Sequence, residues 1–178
     1  NWAVYAKGAG ATKYAYLDGT AAFGTATMWQ NTAPSSSLVY LGDNNEVNAG
    51  SRTYVAYCFA DTEGFIKSGS YVGNGDGSDG AFAYTGFKPA FLLVKKTTSN
   101  NWRLQDNARD PFNPVYRTLL PNSAAAEDAY TDGTDYNDFL SNGFKLAVGG
   151  DTANWNADGV KYVYLAFAAM PFKYATAR

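Results

Sequence analysis

Oxygen-bearing side chains alternate along one Gly-rich loop and could hold a cation. In Gly73-Asn74-Gly75-Asp76-Gly77-Ser78-Asp79-Gly80, the side chains of Asn74, Asp76 and Ser78 fall at every second position, as ligands to Ca2+ would. The match to an EF-hand loop fails further on: Asp79 stands where that loop needs glycine, and Thr85 where it needs glutamate. A hairpin loop is the favoured reading, because Gly and Asx residues accept the left-handed backbone of tight turns. Ca2+ on Asn74, Asp76 and Ser78 is the alternative. The acid pairs Asp61/Glu63, Asp132/Asp135 and Asp135/Asp138 suggest glycoside hydrolysis, which needs two carboxylates facing each other across a cleft. All of them lie in polar connecting stretches, where solvated acids are the default. Trp29 and Trp155, the latter flanked by Asn154 and Asn156, could stack on a sugar and hydrogen-bond its hydroxyls. Core packing is the competing expectation for each tryptophan.

Composition removes other chemistries. The 178 residues include no histidine, so imidazole cannot activate Ser35, Ser37 or Cys58, and every histidine metal site is excluded. Cys58, the single cysteine, has no partner for a disulfide within the sequence and sits in an apolar run where a small residue packs. Net charge is −2 and basic residues are dispersed, which argues against nucleic acid as a partner. No stretch approaches the roughly 18 apolar residues of a membrane span, and no membrane partner is expected. Charged residues make up 17% and aromatics 16%, so the chain can collapse around an aromatic core.

The elements that position these residues are β-strands, and they occur in an internal repeat. Residues 47–60 align without a gap on residues 155–168. Six pairs are identical: Asn48/Asn156, Ala49/Ala157, Tyr54/Tyr162, Val55/Val163, Phe59/Phe167 and Ala60/Ala168. Upstream, Asn1-Trp2 matches Asn101-Trp102, Tyr14–Leu17 matches Tyr116–Leu119, and Val39–Leu41 matches Phe144–Leu146. The opening section of the second copy, Gly64–Tyr71 and Gly86–Lys96, has no counterpart in the first. Residues 1–62 are therefore expected to be the C-terminal part of one repeat and 63–178 a complete second repeat. Upstream residues or a neighbouring chain would supply the missing strands. Thr53–Phe59, Val160–Phe167 and Phe91–Val94 have the β-branched and aromatic character of strands. Strand-length runs separated by Gly, Asn and Asp predict an all-β fold of antiparallel sandwich or jelly-roll-like modules. The repeated asparagines Asn48 and Asn156 are expected to bond their own backbone in the turn before each strand. The single helix candidate is Ser123–Asp128, with Ser123 as N-cap.

Tyr54–Ala60, Gly64–Gly75, Tyr84–Phe91 and Phe139–Ala168 together resemble a repeated β-rich domain of unknown function. That domain occurs in virion structural proteins of tailed bacteriophages, especially marine ones. The resemblance implies a non-enzymatic module of a tail fibre, appendage or surface decoration, located on the virion. Its partners would be further copies of itself and other virion proteins, with a host surface glycan as the alternative ligand. It supplies no catalytic or metal residues, and no cofactor other than the Ca2+ weighed above is expected. A carbohydrate-binding adhesin module is the runner-up function, and a depolymerase using Asp132 and Asp138 is the third.

Overall fold

The structure is a computed structural model that describes residues 1–129, 136–147 and 154–170. It is nearly all β, and its sheets are antiparallel. The strands are β1 (Ala3–Val4), β2 (Lys13–Tyr16), β3 (Gly24–Thr25), β4 (Ile66–Val72), β5 (Phe82–Tyr84), β6 (Pro89–Lys96), β7 (Trp102–Asp106), β8 (Arg117–Thr118), β9 (Asp128–Ala129), β10 (Tyr136–Leu140), β11 (Gly143–Ala147) and β12 (Lys161–Ala168).

The sandwich grows from β12. Its sequence alternates, so Tyr162, Tyr164, Ala166 and Ala168 project to one face and Val163, Leu165 and Phe167 to the other. Because β12 is large and apolar on both faces, it takes an interior position in the four-stranded sheet β4-β12-β6-β7. Tyr162 pairs with Tyr71 on β4 and with Lys96 on β6. The three-stranded sheet β10-β11-β5 packs across the first face. Between the sheets lie Tyr71, Leu92, Val94, Tyr162, Tyr164 and Ala166 from one side, and Ala83, Phe139, Phe144 and Leu146 from the other. Full burial of a side chain such as Leu92, Phe144 or Leu146 contributes about 1.5–3 kcal/mol. The Tyr71 and Tyr162 rings stack at 4.9 Å, and Phe144 meets Tyr164 edge-on at 5.2 Å. Gly69 makes room for this pairing, since a Cβ there would stand 2.6 Å from the Tyr164 hydroxyl oxygen.

Residues 1–30 pack against the four-stranded sheet and its 97–101 loop. The small sheet β1-β2-β3 is held there by Trp102 Nε1 donating to Tyr16 O (2.8 Å), Phe23 N to Thr97 O (2.9 Å) and Asn100 N to Thr20 O (2.9 Å).

Two sequence expectations fail here. Ser123–Asp128 is not helical: Ser123 Oγ accepts from Ala125 N in a local turn, and Asp128 opens β9. A short Ala-rich run without an apolar face to bury cannot hold a helix. The one α-helix among the described residues is instead the single turn Asn45–Asn48, capped by Asn44 Oδ1 accepting from Glu46 N (2.8 Å). Finally, Thr53–Phe59 forms no strand, nor does Val39–Leu41, although the segment it aligns with, Phe144–Leu146, lies in β11.

Candidate interaction surface

Asn156 organises the loop that the sequence marked for chemistry. It is fully buried; its Oδ1 accepts from Asn74 N (3.0 Å), and its Nδ2 donates to Asn74 Oδ1 (2.6 Å) and Asp76 O (3.0 Å). Asn74 Oδ1 also accepts from Asp76 N, and Asp76 Oδ1 accepts from Ser78 N (2.7 Å) and Asp79 N (2.9 Å). The Asp79 and Ser78 amides hold the Asp76 carboxyl below its usual range. The Asn74 and Asp76 oxygens proposed as Ca2+ ligands are thus aimed at protein amides, in a chain of Asx turns. No cluster of three or more acidic or sulfur ligands suited to a metal exists among the described residues. Asn156 does bond backbone, as expected, but the backbone belongs to the 73–80 loop rather than to its own turn. Asn48 donates to Gly42 O (3.0 Å).

The predicted sugar platform does not form. Trp155 is 0% exposed, with the Arg103 guanidinium 5.8 Å over its ring, so it has no free face for a ligand. Asn156 is buried beside it, and Asn154 Oδ1 accepts from Asn100 Nδ2 (3.2 Å). Trp29 lies elsewhere, half-buried, with its indole N–H on Lys13 O (3.0 Å) and its ring edge-on to Tyr5. Core packing wins for Trp155 because β12 and its turn draw it inward. Trp102 is likewise buried, whereas Trp2, with which it aligns in sequence, is 55% exposed and stacks on Tyr57.

Of the acids, Asp132 and Asp135 lie outside the described residues. Asp138 is half-buried on β10 opposite Lys145, and burial raises its pKa against the pull of that lysine. Asp61 is a clamp. Its Oδ1 accepts from Ser68 N (2.7 Å) and Ser68 Oγ (2.8 Å), and its Oδ2 faces Lys7 Nζ (3.0 Å) and Lys67 Nζ (3.4 Å). Partial burial opposes its ionisation, but Ser68, then Lys7 and Lys67, outweigh it and hold the carboxyl down to about 2. One shallow open cleft of about 330 Å3 is lined by Ala9, Lys13, Phe23, Thr97 and Lys161. Lys13 is engaged there with Thr25 Oγ1 (2.7 Å) and Lys161 with Gly8 O (3.5 Å).

What stands out at the surface is apolar. Tyr54, Val55, Tyr57 and Phe59 are exposed in one run, Val55 at 72% and Tyr57 at 70%, with Leu38, Val39 and Leu41 exposed nearby in sequence. Cys58 is also exposed, contrary to the packing role expected of it, although its counterpart Ala166 is fully buried. Among the described residues no backbone–backbone hydrogen bond involves residues 52–60. Two contacts nevertheless recur in both halves. Ala49 N donates to Tyr54 Oη (2.8 Å) as Ala157 N does to Tyr162 Oη (3.0 Å). Trp2 N donates to Asp18 Oδ1 (2.9 Å) as Trp102 N does to Asn122 Oδ1 (2.8 Å).

Residues 1–171 match the family described as a domain of unknown function, DUF7483. The chain belongs to that family. No curated protein and no solved structure matches it. The DUF7483 match runs across residues 62 and 63, so it takes in both the exposed 52–60 run and the sandwich. No helix among the described residues is long and apolar enough to cross a membrane.

Sequence reasoning passed over two buried polar features of this DUF7483 chain. Lys95 is fully buried, with Nζ donating to Lys96 O (3.1 Å) and Thr98 O (3.2 Å). Gln105 bridges Val115 O, Thr118 Oγ1 and Asn137 Nδ2 inside the protein. Alternation within the strands signals Gln105, which pairs with the inward-facing Leu92, whereas Lys95 lies on the face opposite Leu92 and Val94, so its burial depends on what packs there and was not legible in the sequence.

Proposed function

We propose that the chain is a non-enzymatic structural module of a tailed-bacteriophage virion, in a fibre, appendage or surface decoration. It acts by associating with further copies of itself and with other virion proteins. The observation that carries this reading is the exposed run Tyr54, Val55, Tyr57 and Phe59, whose backbone pairs with no strand among the described residues. Contiguous apolar surface of this kind marks protein association, and an unpaired strand-forming segment invites β-pairing. The motif order Tyr54–Ala60, Gly64–Gly75 and Tyr84–Phe91, which resembles virion proteins, supports the setting.

The test is immunogold labelling of purified particles from a phage that encodes the chain, with sedimentation of the isolated chain alongside. Label at regular exterior positions and an oligomeric isolated chain are expected. Particles without label, with the chain confined to the lysate, would overturn the reading.

A further inference from the structure

Residues 53–60 have the sequence of a β12-like strand, and Phe59 packs edge-on against Phe167 (5.6 Å), but among the described residues no strand lies beside them. Offsetting by 108 places Tyr54 on Tyr162, Val55 on Val163 and Phe59 on Phe167, and each tyrosine hydroxyl closes the same turn onto an alanine amide five residues back. β12 lies between β4 and β6, whereas no described strand flanks 53–60. The burial difference follows: Val163 is 3% exposed where Val55 is 72%. Thr53–Ala60 contains no charge, no proline and no glycine, so none of the devices that normally blunt a strand edge is present.

We propose that residues 53–60 accept a β-strand of the β4 kind, supplied from outside residues 1–178 and added antiparallel. The inference rests on the associative role proposed above and names the contact through which it is exercised. β4 is the template because it is an edge strand, touching β12 alone in its sheet, so a single added segment reproduces it. The register of β4 on β12 carries over. The residue opposite Phe59 takes the place of Ile66, that opposite Tyr57 the place of Ser68, and that opposite Tyr54 the place of Tyr71. Gly69, obligatory beneath Tyr164, is not required in the incoming strand, because the counterpart of Tyr164 is Ala56. A folded second copy does not offer its own β4. The inner edge of that strand is bonded to β12, Ser68 N is already taken by Asp61 Oδ1, and Gly8 lies against Ser70.

The experiment adds a synthetic peptide with the sequence of residues 64–72 to the full chain and follows binding by fluorescence anisotropy and amide exchange. Saturable binding is expected, with alternate amides in 53–60 exchanging about tenfold or more slowly. A scrambled peptide should not bind, and Val55→Asp should weaken binding about tenfold or more without altering the melting temperature. Equal binding of the scrambled peptide, or no binding while 53–60 exchanges freely, would overturn the proposal. Protection of 53–60 that grows with chain concentration and is not competed by the peptide would assign the site to a second copy, and would also overturn it. Peptide binding by a chain that no particle carries would keep this inference and remove the virion role. A labelled particle whose chain ignores the peptide would do the reverse.

Discussion

Two charged side chains set the pH response from opposite sides. Lys95 has no solvent exposure, and its partners among the described residues are carbonyls; burial, then the Lys96 charge, lowers its pKa from 10.5 to about 8. Below pH 8 it is charged in both folded and unfolded chains, and the folded state bears the full cost of the buried ion. Between about 8 and 10.5 the unfolded chain holds more protons, so stability rises with pH. Lys95→Met should therefore stabilise the protein at pH 7 by on the order of 2 kcal/mol, with the gain shrinking by pH 9.5. Denaturant titrations at the two pH values check this; an equal effect at both would place the gain in packing alone. Asp61 behaves in the opposite sense. Its carboxyl is depressed to about 2, so its contribution is complete above the usual carboxylate range and is lost as pH falls toward 2. Asp61→Asn should lower the melting temperature at pH 7 by about 2–4 °C, a modest value because the clamp is partly solvated, and should flatten the acid limb between pH 4 and 2.

At the scale of elements, the decisive contrast is between equivalent turns in different surroundings. Asn156 serves three groups of another loop from a buried position, whereas Asn48 makes one bond to Gly42 O from an exposed one. Asn156→Ala removes the partners of Asn74 N and Asp76 O and should cost about 2–3 kcal/mol, while Asn48→Ala should cost less than about 1 kcal/mol. Paired unfolding curves measure the difference, and equal costs would remove Asn156 as the organiser of the loop. The same contrast explains what was legible in the sequence. β12 was readable because alternation and β-branched or aromatic content are local properties, and they were enough to predict an antiparallel all-β fold. Which tryptophan would be buried was not readable, since Trp155 and Trp2 differ in what packs over them. For Asn74 and Asp76, spacing alone cannot separate ligand oxygens from the Asx-turn acceptors that the structure shows them to be. Thr53–Phe59 has strand propensity, yet propensity supplies no neighbours.

The whole molecule is thus a sandwich whose large sheet is covered on one face by β10-β11-β5, with a second strand-like run lying outside any sheet. If 53–60 were already part of the folded core, its side chains would contribute to stability as those of β12 do. Matched substitutions decide this. Val163 packs in the large sheet directly opposite the buried Lys95, so Val163→Asp forces a desolvated carboxylate beside that ammonium into a site shaped for valine; it should lower the melting temperature by about 5 °C or more. Val55→Asp makes the same chemical change at the position aligned with it in sequence, where the side chain is solvated, and should leave the melting temperature within about 1 °C. It should instead weaken binding of the added residue 64–72 peptide about tenfold or more, because a charge now interrupts an uncharged strand edge. A fall in melting temperature on Val55→Asp comparable to that of Val163→Asp would mean that the run is buried in the chain's own fold, and the association surface would have to be sought among Leu38, Val39 and Leu41.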